Sequence, residues 1–156
     1  MRKSWNIIET VIATLLQAWA LFYIYSLVDR LKVAGGVSMP ANLWIKAFHI
    51  NFLLGVLCFL GGIGLLYDKR WGWVSSIICT LAFAGFMLVS GRNGVTAQKN
   101  VHMMASVSYL IVAALFIALF ILLVQKPFRI KYKPNFLTWL LIGGALVLVV
   151  IDKSVV

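Results

Sequence analysis

The sequence predicts an all-α, polytopic integral membrane protein, a single transmembrane helical domain over residues 1–156 with five spans, and three observations carry that reading. Two apolar runs, Leu43 to Tyr67 and Trp71 to Ser90, are separated only by Asp68, Lys69 and Arg70. A run of about 20 apolar residues crosses the hydrocarbon as a helix, and so short a turn joins two such helices antiparallel. Composition agrees: 63% of the chain is hydrophobic, with 14 basic and 4 acidic residues among 156, where soluble domains are about a quarter charged. The formal charge of +10 is scattered in short pieces between apolar runs. That is the pattern of topology determinants, whereas binding a nucleic acid duplex needs basic residues gathered on one folded face.

The first span is read over 5–28. Arg2 and Lys3 followed by an apolar run to Ala18, Trp19 and Ala20 imitate a secretory signal with its small-residue cleavage site. The run continues through Leu21 to Val28, too long for a signal core, so an uncleaved span is expected. Thr10, Thr14 and Gln17 follow i, i+4, i+7 spacing and share a face, which predicts a polar stripe turned toward neighbouring helices. Glu9 falls roughly 6 Å inside the span at 1.5 Å per residue and is read as lying near the inner interface.

Asp29 to Asn42, with Gly35, Gly36 and Pro40, is a polar link to the second and third spans, 43–67 and 71–90. Gly55, Cys58 and Gly62 share a face of one; Ser75, Cys79 and Ala82 share a face of the other. Facing small residues let helix backbones approach closely in lipid, so these two stripes are expected to pack together, with both thiols reduced and at similar depth.

Asn93 and Gly94 mark the next turn, and the fourth span runs over 101–124 with Ala114 and Ala118 for packing. The 125–135 segment carries Lys126, Arg129, Lys131 and Lys133 together with Pro127 and Pro134, and reads as a basic loop lying on anionic headgroups. The fifth span, 136–151, covers only about 24 Å as a helix. It needs local thinning or extension into the tail, and four spans plus a re-entrant or interfacial C-terminal helix is the reserve. Trp5, Trp44, Trp71, Trp73 and Trp139 fall near predicted span ends, as an interfacial belt requires; Trp19 does not.

Lys and Arg in short loops favour the side that holds the N-terminal segment, the 68–70 turn and the 125–135 loop. The positive-inside rule therefore predicts a cell (inner or plasma) membrane protein with its N-terminus in the cytoplasm and its C-terminus outside.

For chemistry the chain offers little. Its four acids, Glu9, Asp29, Asp68 and Asp152, are scattered over both sides, and no nucleotide, zincin or nucleophile-elbow motif occurs. Cys58 and Cys79 sit inside apolar runs, which excludes a secreted disulfide framework and a zinc site. On the outer side Lys46, His49, Arg92, Lys99 and His102 would form a basic rim able to attract an anion. His49 and His102 are also the pair a b-type haem would need, but they differ in depth by several ångströms, and no cofactor is expected. By exclusion the sequence predicts a small non-catalytic subunit that packs against other membrane subunits or copies of itself. The alternatives are a transporter or channel component with an outward-facing basic vestibule, and a haem electron carrier.

Overall fold

The computed structural model describes the backbone of residues 2–34, 41–96 and 100–155, and side chains over 6–29, 52–89 and 107–151. These residues form six helices and no strand: α1 (Arg2–Ala34), α2 (Ala41–Leu66), α3 (Arg70–Thr96), α4 (Asn100–Val124), α5 (Lys126–Tyr132) and α6 (Phe136–Val155). Three stretches are long and apolar enough to cross a membrane: Asn6–Asp29, Arg70–Val89 and Val107–Val124. The α5–α6 pair, bent by 108° at its break, would count together as a fourth, and Phe52–Leu66 of α2 is a shorter apolar helix. The architecture fits a helical membrane protein, and the described residues account for three or four of the five anticipated spans. Its outer surface is as oily as its interior: Ile111 is 65% and Leu148 69% exposed, which a water-soluble bundle of this size would not sustain.

The centre of the bundle is α3, with 56% of its apolar window buried against 28% for α1 and 22% for α4. It packs on α2, α4 and the start of α6, while α1 packs chiefly on α2. The α2–α3 junction is set by backbone geometry. Asp68 takes a left-handed conformation at φ 56°, Lys69 N–H donates to the Gly64 carbonyl at 2.8 Å and Asp68 N–H to the Leu65 carbonyl at 3.0 Å. This is the Schellman closure of a helix C-terminus. It reverses the chain so sharply that α2 and α3 touch at Gly64 and Gly72, where a methyl group added to Gly64 would lie 2.3 Å from the Gly72 Cα.

That crossing redirects the small-residue stripes. Gly55 and Gly62 meet α1 rather than α3, since a Cβ on Gly55 would meet Ile24 and one on Gly62 would meet Gln17 and the Ala13 carbonyl, while Cys58 between them touches both helices, its thiol donating to the Leu16 carbonyl of α1 at 3.4 Å and lying beside Cys79 of α3. The α2–α3 approach uses Gly61 against Ser76, and Gly64 against Gly72. On α3, Cys79 and Ala82 are buried and Ser75 is half-buried. Cys79 neighbours Cys58, and both thiols are free.

The tryptophans also depart from expectation. Trp73 does not join an interfacial belt; it is fully buried, stacked on Tyr132 at 6.0 Å and edge-on to Trp139 at 5.8 Å. Its indole N–H donates to the Leu123 carbonyl at 2.8 Å. The reason lies in the sequence: the residue four beyond Leu123 is Pro127, which has no N–H to offer, so that carbonyl needs a donor from elsewhere. Trp19, which the belt pattern left out, belongs to an aromatic core in which it meets Phe116 at 5.1 Å, Phe116 stacks on Phe83 at 5.3 Å, and Tyr23 meets Phe83 at 4.8 Å. The 125–135 segment, anticipated as a loop, contains α5, with Pro127 in its first turn, where its missing N–H costs nothing, and Lys133 left-handed at its end, a conformation that glycine adopts more easily. Asn135 then caps α6 by accepting from the Thr138 N–H at 3.0 Å.

Gly64→Ala or Gly72→Ala is expected to destabilise the fold by about 1–3 kcal/mol or more, the usual cost of overpacking. Gly85→Ala, with open space around it, should be neutral or slightly stabilising. Thermal denaturation in detergent micelles compares the three. By the same assay Trp73→Phe, which strands the Leu123 carbonyl, should cost about 1–3 kcal/mol.

Candidate functional site

One end of the bundle gathers the polar side chains that the apolar spans exclude. Glu9 is buried on α1, 5% exposed, and a carboxyl group at such a position is costly without partners. It receives two, both from α5: the Tyr132 hydroxyl donates to its Oε1 and the Lys131 ammonium to its Oε2. Lys131 also bonds Asp68 Oδ1, so one cation bridges α1 and the α2–α3 turn. Nearby, Arg70 at the head of α3 donates to Asn135 Oδ1 at 2.7 Å and to the Thr138 hydroxyl, which fastens the cap of α6 to the same end.

The geometry follows from α5. In a seven-residue helix, Phe128 and Tyr132 are four apart and both buried, so they share the face that rests on the bundle. Tyr132 lands on the Trp73 ring, which places its hydroxyl at Glu9, and Lys131, one position earlier, reaches the same carboxylate from beside it.

Burial by itself would lower the Lys131 ammonium, but its hydrogen bonds to Asp68 and Glu9 and their negative charges outweigh that and carry it above a lysine's ordinary 10.5. Burial, and then the bond to Glu9, pushes the Tyr132 phenol well above its ordinary 10.0. Both groups therefore keep their protons across the physiological range: Lys131 is a fixed cation and Tyr132 a fixed donor. Chemically the cluster is a charge-neutralising latch on a buried acid.

The other residues singled out in the sequence are not brought to this cluster. Thr10 and Thr14 do not form an inward stripe with Gln17. They are exposed, and each hydroxyl donates to the carbonyl four residues back in its own helix, Asn6 and Thr10, at 2.9 Å. Gln17 alone of the three is half-buried and meets Gly62. Lys46, His49, Arg92, Lys99 and His102, and with them the haem pair, lie outside the residues whose side chains are described. Among the described residues no group of three His, Cys, Asp or Glu could hold a metal ion.

Leu15, Ala18, Trp19 and Phe22 of α1 and Leu115, Phe116 and Leu119 of α4 line an apolar cleft of about 310 Å³. The buried Trp19 indole nitrogen and Ser76 hydroxyl have no hydrogen-bond partner.

Sequence reasoning placed Glu9 at an interface but missed its partners, because they are 122 and 123 positions away. The available signal was an acid inside an apolar run together with a Lys-Tyr pair in a segment assigned to the same side. No protein-family model, curated protein or solved structure matches this chain.

Lys131→Met should leave Glu9 with only the phenol and destabilise by about 2–3 kcal/mol, while Glu9→Gln with Lys131→Met should recover part of that loss. A double-mutant cycle on thermal midpoints measures the coupling. Because the folded-state pKa of Lys131 lies above its unfolded value, its contribution is fully present below pH 10.5 and is lost as pH rises through the folded pKa. Stability attributable to the latch should thus be flat from neutral pH to about 10 and fall only above it, as the difference between wild type and Lys131→Met would report.

Proposed function

We propose that this chain is a non-catalytic accessory or interaction subunit of a membrane assembly, or forms a homo-oligomer. In this reading it crosses a cell membrane five times, with the latch end and N-terminus in the cytoplasm, as the count of Lys and Arg favours. The observation that carries the reading is the state of α6. Among the described residues its main packing is on α3, and it buries Thr138, Ile142 and Val149, while Leu140, Leu141, Val147, Leu148 and Val150 are each more than half exposed. Beside them Gly143 and Gly144 present bare backbone, with nothing within 4 Å of where a side chain would begin.

Lipid fits around any apolar helix, whereas a notch of two adjacent glycines lets a second helix approach closely enough to gain packing that lipid does not provide. The polar cluster at the α5 end of the bundle is already engaged. Glu9, the one acid buried in a span among the described residues, is held by Lys131 and Tyr132, which favours a structural role for it over transport.

Native mass spectrometry of the full chain from mild detergent is expected to show a stoichiometric partner or a defined homo-oligomer, and Gly143→Leu to dissociate it without loss of thermal stability. A wild-type sample that is monomeric and free of any partner overturns the proposal.

A further inference from the structure

The basic residues of the α5 segment separate by direction. Lys131 turns to Glu9 and Asp68; Lys126, Arg129 and Lys133 turn away and, with Ile130 and Pro134, line an open cleft of about 500 Å³. No ion pair joins these three to any acid among the described residues. The positions of the four acids along the chain agree. Of its four acids, Glu9 and Asp68 are already engaged by Lys131. Asp29 stands about 30 Å further along α1 from Glu9, and Asp152 about 20 Å along α6 from Thr138, at 1.5 Å per residue. Three cations with no ion pair among the described residues therefore face one cleft, which favours an anion from outside the chain.

We propose that this cleft binds the phosphate of an anionic phospholipid. Arg129 offers a planar fork that matches two phosphate oxygens, and Lys126 and Lys133 flank it as point charges. The apolar part of the lining selects lipid over a free anion. Ile130, 62% exposed, and Pro134 line the cleft beside the three cations, and one residue past Pro134 the chain reaches Phe136 and Leu137, 82% and 59% exposed at the head of α6. A lipid covers both surfaces at once, its headgroup on the cations and its acyl chain along α6. Basic pockets beside membrane helices bind anionic headgroups in this way. The site rests on the reading of the chain as membrane-spanning, and gives the anionic headgroups expected at 125–135 a defined set of ligands.

The test uses the full chain in nanodiscs of phosphatidylcholine and phosphatidylglycerol, with bound lipid counted by native mass spectrometry after release. Wild type should retain phosphatidylglycerol in preference to phosphatidylcholine. Retention should weaken about fivefold in Arg129→Gln and on the order of a hundredfold in the triple variant K126Q/R129Q/K133Q, at about 1 kcal/mol per cation. All three side chains are exposed, so the fold should persist, which the thermal midpoint checks. Lys69→Gln, exposed at the α2–α3 turn outside the cleft, should keep the lipid.

Equal retention by the triple variant, or equal loss in Lys69→Gln, overturns the site. Displacement by millimolar inorganic phosphate would assign the cleft to a soluble anion and overturn the lipid. Oligomeric state is read from the same spectra: loss of adduct with the oligomer kept removes the lipid site alone, and a bare monomer that keeps its adduct removes the subunit reading alone.

Discussion

Lys131 holds two carboxylates that the chain supplies from far apart, Glu9 on the first helix and Asp68 at the α2–α3 turn, and the arrangement of this end of the bundle depends on that bridge. A buried carboxylate is tolerated only with a cation and further hydrogen bonds close by. Satisfying Glu9 therefore requires α5 to lie across the mouths of α1, α2 and α3. Once it does, Tyr132 and Phe128 must be buried, Trp73 acquires a ring to stack on, and the start of α6 is brought to where Arg70 can hold Asn135 and Thr138. The 108° bend between α5 and α6 is the geometric result of one segment obeying the latch and the next running down the side of α3.

A second constraint acts through backbone rather than charge. Gly64 and Gly72 approach so closely that neither can carry a side chain, and this contact sets how α2 crosses α3. The crossing leaves Gly55 and Gly62 free to receive α1. The bundle is thus built outward from α3: glycine contact on one side, an aromatic core of Trp19, Phe83 and Phe116 on another, and the Trp73 bond to the Leu123 carbonyl closing the end of α4.

The elements that sequence reasoning located well are those fixed by local physics. The hairpin was legible because apolar run length and a charged three-residue break are local properties, whereas α5 was missed: its charges and prolines read as loop, and Pro127 is in fact accommodated in the first turn of a helix. The grouping of the N-terminal segment, the 68–70 turn and the 125–135 segment on one side is matched by the contacts of Glu9, Asp68 and Lys131. What the sequence did not reveal were directions. Thr10 and Thr14 looked like interface polar residues by spacing, yet a threonine can satisfy its hydroxyl on its own helix and face outward. Trp73 looked like a belt residue by its distance from a span end, but depth along a helix says nothing of which side is covered by a later segment. The small-residue stripes meet where expected only at Cys58 and Cys79, while Gly55 and Gly62 turn to α1, because a helix hairpin fixes adjacency and leaves rotation about each axis to be set by the tightest contact.

The separation of Glu9 from Lys131 along the chain, 122 residues, also bears on how the molecule is made. At elongation rates of about 5–20 residues per second, roughly 6–24 s pass between synthesis of the acid and synthesis of the base that neutralises it. Throughout that interval the first helix carries its carboxyl group without Lys131 or Tyr132, the partners that hold it in the finished fold. Its final seating must therefore wait for the last third of the polypeptide, so the helix born first is among the last to be locked in place.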